Sequence, residues 1–477
     1  MNTFNYPELH IICQSADEPS SVTHVYFEET LAQYASPALQ TDFAALQTHF
    51  PQNSAWQLTN PYPAVLLKNP TTVLTCSFAY LTQARQWLQN DALTAESLEL
   101  VGGSKQVQEA FVSAWLAQAY QLPTYKKPGT RPKLQRRYLY LHTPKLNEAQ
   151  IYALCAEAKG NALARYLAWL PAGELTPQSY QKIAQSLATT YGWDITVYDR
   201  DTLTLMGAGA FLAVCRGDAH QSAIVRLRYR PTQPTHKVAL VGKGICFDTG
   251  GYNLKKDMQG MQMDMGGSAV ALGSLLAATE QNLPYQIDCY LAIAENHIGP
   301  NAYKTAEVVT ALNGTTIEII DTDAEGRMVL ADTLTLASRE KPDLMIDYAT
   351  LTGACKRALG HNRSGLWSNQ HNWLMPLLEI GERCGERIWP QPIDADYDDD
   401  FKSDIADIAQ CAAGPGPDHI HAARFLLRFI GVDDRWIHID LSSFHVKNGL
   451  AQQGPGATGF GVRYTQRLLA QLPTLLG

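Results

Sequence analysis

Residues 321–327 read Asp-Thr-Asp-Ala-Glu-Gly-Arg, and their setting constrains the fold more than any other stretch of the chain. They follow residues 314–320 (GTTIEII), a β-branched run that reads as a buried strand. They precede residues 328–339, where Val329, Leu330, Thr333, Leu334 and Ala337 recur at helical spacing. The segment is therefore a strand-to-helix turn, and open α/β sheets place their chemistry in crevices at the carboxyl ends of strands. If the turn is extended, alternation aims Asp323, Glu325 and Arg327 in one direction. An N-cap aspartate with acids favouring the helix dipole accounts for a bare D-x-E. It leaves the arginine at the end of the run unexplained.

The rest of the chain keeps the same alternation. Strand patterns at 223–228, 238–241, 286–294, 315–320, 344–347 and 436–441 are interleaved with helical ones, notably 268–281 and 328–339. The fold expected is α/β: a larger C-terminal domain, 146–477, with a mixed, mostly parallel sheet flanked by helices. It opens with two amphipathic helices between 146 and 191, the second capped by Thr176 and starting at Pro177. Before it, residues 1–145 read as a small N-terminal α/β domain. Its strands are 9–13, 64–67, 72–76 and 98–101, and a helix at 107–120 follows Gly102-Gly103-Ser104-Lys105. That turn lacks Walker spacing and is read as a plain helix start. Residues 126–137 (KKPGTRPKLQRR) read as connecting structure near the boundary. At 477 residues, 45% of them hydrophobic, the chain can bury cores of this size.

Charge and cysteine usage narrow the partners. A net charge of −8 argues against nucleic acid as the main partner and suits metal ions better. Nine scattered cysteines without a C-x-x-C signal neither a disulfide framework nor a thiolate zinc site. The first residues lack a basic stretch followed by an apolar one, and no apolar run reaches the roughly 18 to 20 residues that span a bilayer. A soluble, cytoplasmic protein is expected, with no membrane partner.

Two further stretches carry charge where a buried strand should not. VGKGICFDTGG (241–251) reads as a strand followed by a glycine-broken loop holding Lys243 and Asp248, with Lys255 beyond it; MDMGG places Asp264 just before a helix. Each desolvated charge costs several kcal/mol unless paired or ligated. A salt bridge between Lys243 and Asp248 would satisfy those two alone. Asp248, Asp264, Asp323 and Glu325 together bring carboxylates from three loops with no histidine near them, and dications are the usual remedy for such crowding. Oxygen-rich ligation suits Mn²⁺, Mg²⁺, or Zn²⁺ in a pair. Lys243 could join them only as the neutral amine. Met258, Met261, Met263 and Met265 shape an apolar pocket or fill the core. His419 and His421 are read as surface or packing residues, and the acidic run 394–407, lacking EF-hand spacing, as a solvated loop.

Taken together, VGKGICFDTGGYNLK, MDMGG, DTDAEGRMVLADTL, ATLTG and GATGFGV resemble the leucyl aminopeptidase family of dinuclear metallopeptidases, the cytosol aminopeptidases, and more closely its peptidase B branch. The resemblance spans about 146 to the C-terminus and is faint before it. It implies hydrolysis of the N-terminal peptide bond of peptides, with Lys243, Asp248, Asp264, Asp323 and Glu325 holding two divalent ions, Mn²⁺ or Zn²⁺, with Mg²⁺ a third candidate. Lys255 and Arg327 fall on the family's catalytic positions. Lys255 would stabilise the oxyanion, and Arg327, suited to planar anions, would hold a bicarbonate that serves as general base. Thr350, Leu351, Thr352 and Gly353 would line the substrate cleft. The resemblance also implies a cytoplasmic homohexamer whose N-terminal domain does no chemistry. Asp321 stands where family members usually have asparagine. Two other readings use the same features: a DNA-binding hexamer with secondary peptidase activity, resting on the basic stretch at 126–137, and a dinuclear phosphoester hydrolase.

Overall fold

Along the strand His236–Asp248 both side-chain parities are apolar: Val238, Leu240 and Cys246 belong to one buried cluster, and Ala239, Val241 and Ile245 to another. Successive side chains of a strand point to opposite faces, so such a strand needs cover on both. The computed structural model supplies that cover; it describes residues 4–13, 23–27, 31–33, 35, 37–49, 55–58, 64–67, 77–89, 97–127, 137–219 and 221–477.

A six-stranded sheet comes first, from β1 (His10–Ile12), β2 (Thr23–Phe27), β3 (Ala55–Leu58), β4 (Ala64–Leu67), β5 (Ser97–Val101) and β6 (Tyr138–His142), in the order β1-β6-β5-β2-β4-β3. Only the β3–β4 pair is antiparallel. The helices Ser77–Leu88 and Lys105–Ala119 pack against it through Trp87, Phe111 and Trp115. Ser104 caps the second of these by accepting from the Val107 N–H, so the Gly-Gly-Ser-Lys turn is the plain helix start expected.

The second sheet has eight strands: β7 (Asp194–Tyr198), β8 (Ala223–Tyr229), β9 (His236–Asp248), β10 (Tyr285–Asn296), β13 (Leu344–Ala349), β14 (Ser364–Ser368), β15 (Ile388–Pro390) and β17 (Trp436–Asp440). Between them in the chain lie β11 (Val308–Thr310), β12 (Thr316–Glu318) and β16 (Ile408–Ala409), which form a small sheet of their own. The large sheet is ordered β15-β14-β17-β13-β9-β10-β8-β7, and its centre, β17-β13-β9-β10, is parallel throughout. The helices Glu148–Trp169, Pro177–Tyr191, Gly266–Glu280 and Val462–Leu469 cover one face. Gly209–Cys215, Glu325–Ser338 and Asp418–Leu427 cover the other. The fold is α/β as expected, with helices on both faces, and Thr176 caps the helix that starts at Pro177.

Three local expectations are corrected. The strand around 315–320 exists only as β12, and it pairs with β11 and β16 outside the large sheet. A β-branched run signals a strand but not its partner, which contacts remote in sequence decide. Lys243 is not in a loop: β9 runs through Gly242 and Gly244 to Asp248. Those glycines mark close backbone approach rather than a break, since a Cβ at Gly242 would lie 2.4 Å from the Ser268 Cα. The acidic run is not simply solvated, because residues 395–401 form a 3-10 helix whose Asp398 pairs with Arg424 and Arg428.

The strand expected at 72–76 and most of the basic stretch at 126–137 lie outside the described residues. Among the described residues, no helix is long and apolar enough to cross a membrane.

Candidate active site

Parallel neighbours end on the same edge of a sheet, so β9, β10, β13 and β17 deliver their last residues to one place. Asp248 ends β9, Asn296 ends β10, Thr350 follows β13 and Asp440 ends β17. The turn 321–327 reaches this edge from the small sheet. Thr322 Oγ1 donates to the Gly250 carbonyl at 2.6 Å, and the Thr322 carbonyl accepts from Asn296 Nδ2 at 2.9 Å and Tyr303 Oη at 2.8 Å. Gln410, fully buried, clamps the turn from behind: Oε1 accepts from the Ile320 and Asp321 N–H groups, and Nε2 donates to the Ala324 carbonyl.

The turn is not extended to its end. Glu325 opens the helix Glu325–Ser338, so Glu325 and Arg327 leave it on different sides. Glu325 lines a cavity of about 1090 Å³ along with Asp248, Asp264, Lys243 and Lys255. Arg327 lines a neighbouring cavity of about 270 Å³, and Asp323 borders both.

Oxygens of Asp248, Asp323 and Glu325 lie within 4.8 Å of one another. Asp264 is set apart from them by Lys243, whose Nζ stands 2.7 Å from Asp264 Oδ2 and 2.9 Å from Glu325 Oε1 and donates to the Thr350 carbonyl at 3.1 Å. Lys255 Nζ pairs with Asp248 Oδ2 at 2.7 Å and with Asp323. The salt bridge between Lys243 and Asp248 is thus not the one formed. Gly326 makes room for this packing, since a Cβ there would lie 2.7 Å from Lys243 Nζ.

Four carboxylates face two ammonium groups along this cavity, and the balance shows in the shifts of Glu325, Asp264 and Lys243. Burial, with Asp248 adding to it, holds Glu325 well above the usual carboxylate range; burial likewise raises Asp264 despite Lys243. Burial alone would depress Lys243, but Asp264 and Glu325 outweigh it and its pKa is raised. Glu325 Oε2 is buried with no hydrogen-bond partner. A buried, unpartnered carboxylate oxygen beside two other carboxylates is a donor set that fits hard or borderline dications.

Asp321 adds its charge at one edge of this cluster, where, after burial and Asp248, it helps hold the Asp323 carboxyl above its usual range. Its Oδ1 accepts from the Asp323 N–H at 2.9 Å, a bond an asparagine carbonyl makes equally well, and it lines the smaller cavity. Thr350, Leu351, Thr352 and Gly353 all line the larger cavity, as do Met261 and Met263, while Met265 is core. His421 is packing, buried against Phe401 with Nε2 2.9 Å from Asp400.

Sequence reasoning missed Asn296, Asp440, Gln410 and Asp418. Asn296 Nδ2 donates to Asp248 Oδ1 at 2.9 Å. Asp440 accepts from the Leu351 and Thr352 N–H groups and from Thr352 Oγ1, holding the strip along the cavity. The signal that picked out Asp248, a polar residue closing an apolar strand, marks these two as well. Gln410 and Asp418 carry no such signal.

The family model described as "Cytosol aminopeptidase family, catalytic domain" matches residues 162–465. That is well over half of the chain. The chain belongs to the cytosol aminopeptidase family. It is a metal-dependent hydrolase of the aminopeptidase class. The probable cytosol aminopeptidase of Parasynechococcus marenigrum is 39% identical over 363 residues, 74% of each chain. Among solved structures, a bottromycin maturation enzyme in complex with Mn is 30% identical with a TM-score of 0.82, covering 95% of this aminopeptidase and 99% of that chain. Leucyl aminopeptidase from Trypanosoma brucei in complex with bestatin is 26% identical with a TM-score of 0.80, covering 96% and 92%.

Proposed function

We propose that this aminopeptidase removes N-terminal residues from peptides using two divalent ions held by Lys243, Asp248, Asp264, Asp323 and Glu325. The observation that carries the reading is the convergence of carboxylate oxygens of Asp248, Asp323 and Glu325 to within 4.8 Å of one another, together with the unpartnered Glu325 Oε2. When bound, two such ions supply Lewis acidity, which polarises a carbonyl and lowers the pKa of water. Oxygen-rich donors favour Mn²⁺ or Zn²⁺, with Mg²⁺ a weaker fit, and the bound Mn of the bottromycin enzyme supports the first. Lys243 serves as a ligand after giving up the proton that Asp264 and Glu325 now hold on it.

The chain's own residues then divide the remaining work. Asp248, Asp323 and Glu325 would hold an ion with a position for the peptide's neutral α-amine, which accounts for cleavage from that end. Lys255, on the cavity wall with a side chain 18% exposed, turns its ammonium from the carboxylates to the oxyanion of the tetrahedral transition state. Thr350 to Gly353, held by Asp440, position the peptide beside it. No described residue of 1–145 lines either cavity, which supports a non-catalytic role for that part. The same reading makes the enzyme a cytoplasmic homohexamer. The bicarbonate that the family resemblance assigns to Arg327 would share that guanidinium with the Asp418 carboxylate.

The test compares an aminoacyl anilide with an aryl phosphate, each with added Mn²⁺. Anilide cleavage alone is expected. Phosphate-ester cleavage alone would replace this reading with a dinuclear phosphoesterase.

A further inference from the structure

The resemblance pairs Arg327 with a free bicarbonate, and the surroundings of Arg327 do not fit one. Its side chain is buried; Nη2 donates to Asp418 Oδ1 at 2.5 Å and Nη1 to the Gln410 carbonyl at 3.3 Å. Nε remains, buried and unpartnered. An anion on that edge, however, would have to share Nη2 with the Asp418 carboxylate. The adjoining cavity is lined by Asp321, Asp323 and Asp418, while Lys255 is already paired with Asp323. A further free anion there meets the carboxylates of Asp321 and Asp418, with the Arg327 guanidinium already committed to Asp418.

We propose that Asp418 is a built-in carboxylate that takes the place of bicarbonate and acts as the base in peptide hydrolysis. This rests on the aminopeptidase reading above. Asp418, like Lys255 and Asp323, lines both cavities, the larger with Lys243, Asp248 and Glu325 and the smaller with Arg327. Among the described residues its Oδ1 has Arg327 as hydrogen-bond partner and its Oδ2 has none, so Oδ2 is free to accept a proton. The Asp418 side chain is 44% exposed, open to the space a substrate enters. Its placement is braced: Asp418 begins the helix Asp418–Leu427, in which Arg424 Nε and Nη2 grip Asp398 at 2.8 and 2.6 Å and His421 Nε2 lies 2.9 Å from Asp400. Arg327 holds the Asp418 carboxyl below the usual range, against the effect of burial, so it is ionised at neutral pH.

In the step proposed, the attacking water gives one proton to Asp418 Oδ2 as its oxygen bonds to the scissile carbonyl carbon. The same proton passes to the leaving nitrogen as the C–N bond breaks. Asp418 ends as it began, and the products are an amino acid and a shortened peptide.

The experiment uses the full-length, Mn²⁺-loaded enzyme in buffer freed of carbon dioxide, with a leucyl anilide as substrate. Wild-type turnover is expected to be unchanged by adding bicarbonate, and ¹³C-labelled bicarbonate to show no binding by NMR. Asp418→Ala should lose about 10²-fold in kcat, the scale of one positioned base. It should then bind labelled bicarbonate and regain activity with bicarbonate or formate. Asp418→Asn should be as slow but not rescued, because its amide fills the seat without accepting a proton. Melting temperature and metal content on each preparation identify any variant that fails to fold, and Asp418→Asn then carries the test. The proposal is overturned if wild type needs bicarbonate or binds it stoichiometrically, or if a folded, metal-loaded Asp418 variant matches wild type without it. If no preparation cleaves any aminoacyl substrate, the aminopeptidase reading fails instead, and labelled bicarbonate still decides which anion Arg327 holds.

Discussion

Lys255 Nζ lies 2.7 Å from Asp248 Oδ2, and Lys243 occupies the matching place between Asp264 and Glu325. Each ammonium group neutralises a pair of carboxylates proposed as metal ligands. Bound dications would take over that neutralisation and release both lysines for other work.

Chelation should therefore abolish peptidase activity, and Mn²⁺ or Zn²⁺ should restore it with about two ions per chain. In Asp248→Ala and Glu325→Ala at least one ion should be lost, because the remaining acids are then held apart from any shared centre. Mass-spectrometric metal content decides this. Unchanged stoichiometry in both variants would mean that the ligands are wrongly assigned.

Metal uptake should release protons and tighten as pH rises. Burial and Asp248 raise the Glu325 carboxyl, so the metal-free fold keeps a proton that the unfolded chain has already lost. The sign follows: above the ordinary glutamate value the native state binds more protons than the unfolded one, so stability of the metal-free protein falls as pH rises. Metal binding needs the carboxylate and displaces that proton. Calorimetric titrations in buffers of different ionisation enthalpy should show the release. A metal affinity independent of pH through this range would contradict it.

Lys255→Ala should keep its metals and lose roughly 10² to 10³ in kcat and kcat/KM together, since an oxyanion contact is made only in the transition state. A purely structural Lys255, a salt-bridge partner of Asp248 and Asp323, would instead show a lowered melting temperature with near-normal kcat.

Gly326→Ala tests the packing under the site. The added Cβ would meet Lys243 Nζ and Cε at 2.7 Å, and overpacking of this kind costs about 1 to 3 kcal/mol. A lower melting temperature and weaker metal retention are expected. A variant indistinguishable from wild type in both would show that Lys243 has room to move.

The α/β class, the helix start at Thr176-Pro177 and the gathering of Asp248, Asp323 and Glu325 were legible from the chain, because apolar periodicity, capping and motif spacing are local. So was the suspicion attached to Asp248, since a charge closing an apolar strand is costly wherever the strand is buried. What the chain could not reveal was pairing. The strand before the DAEGR turn belongs to the small sheet, Lys243 sits inside β9 rather than in a loop, and Lys255 rather than Lys243 meets Asp248. Each outcome depends on which backbone approaches which, as at Gly242 against Ser268. Arg327 shows the limit most clearly. Its place in the motif suggested a free anion, yet only the tertiary structure brings Asp418 from a helix far along the chain to within 2.5 Å of its guanidinium. A motif determines which charges gather locally, whereas the nearest opposite charge in a folded interior is set by long-range packing, to which local spacing is blind.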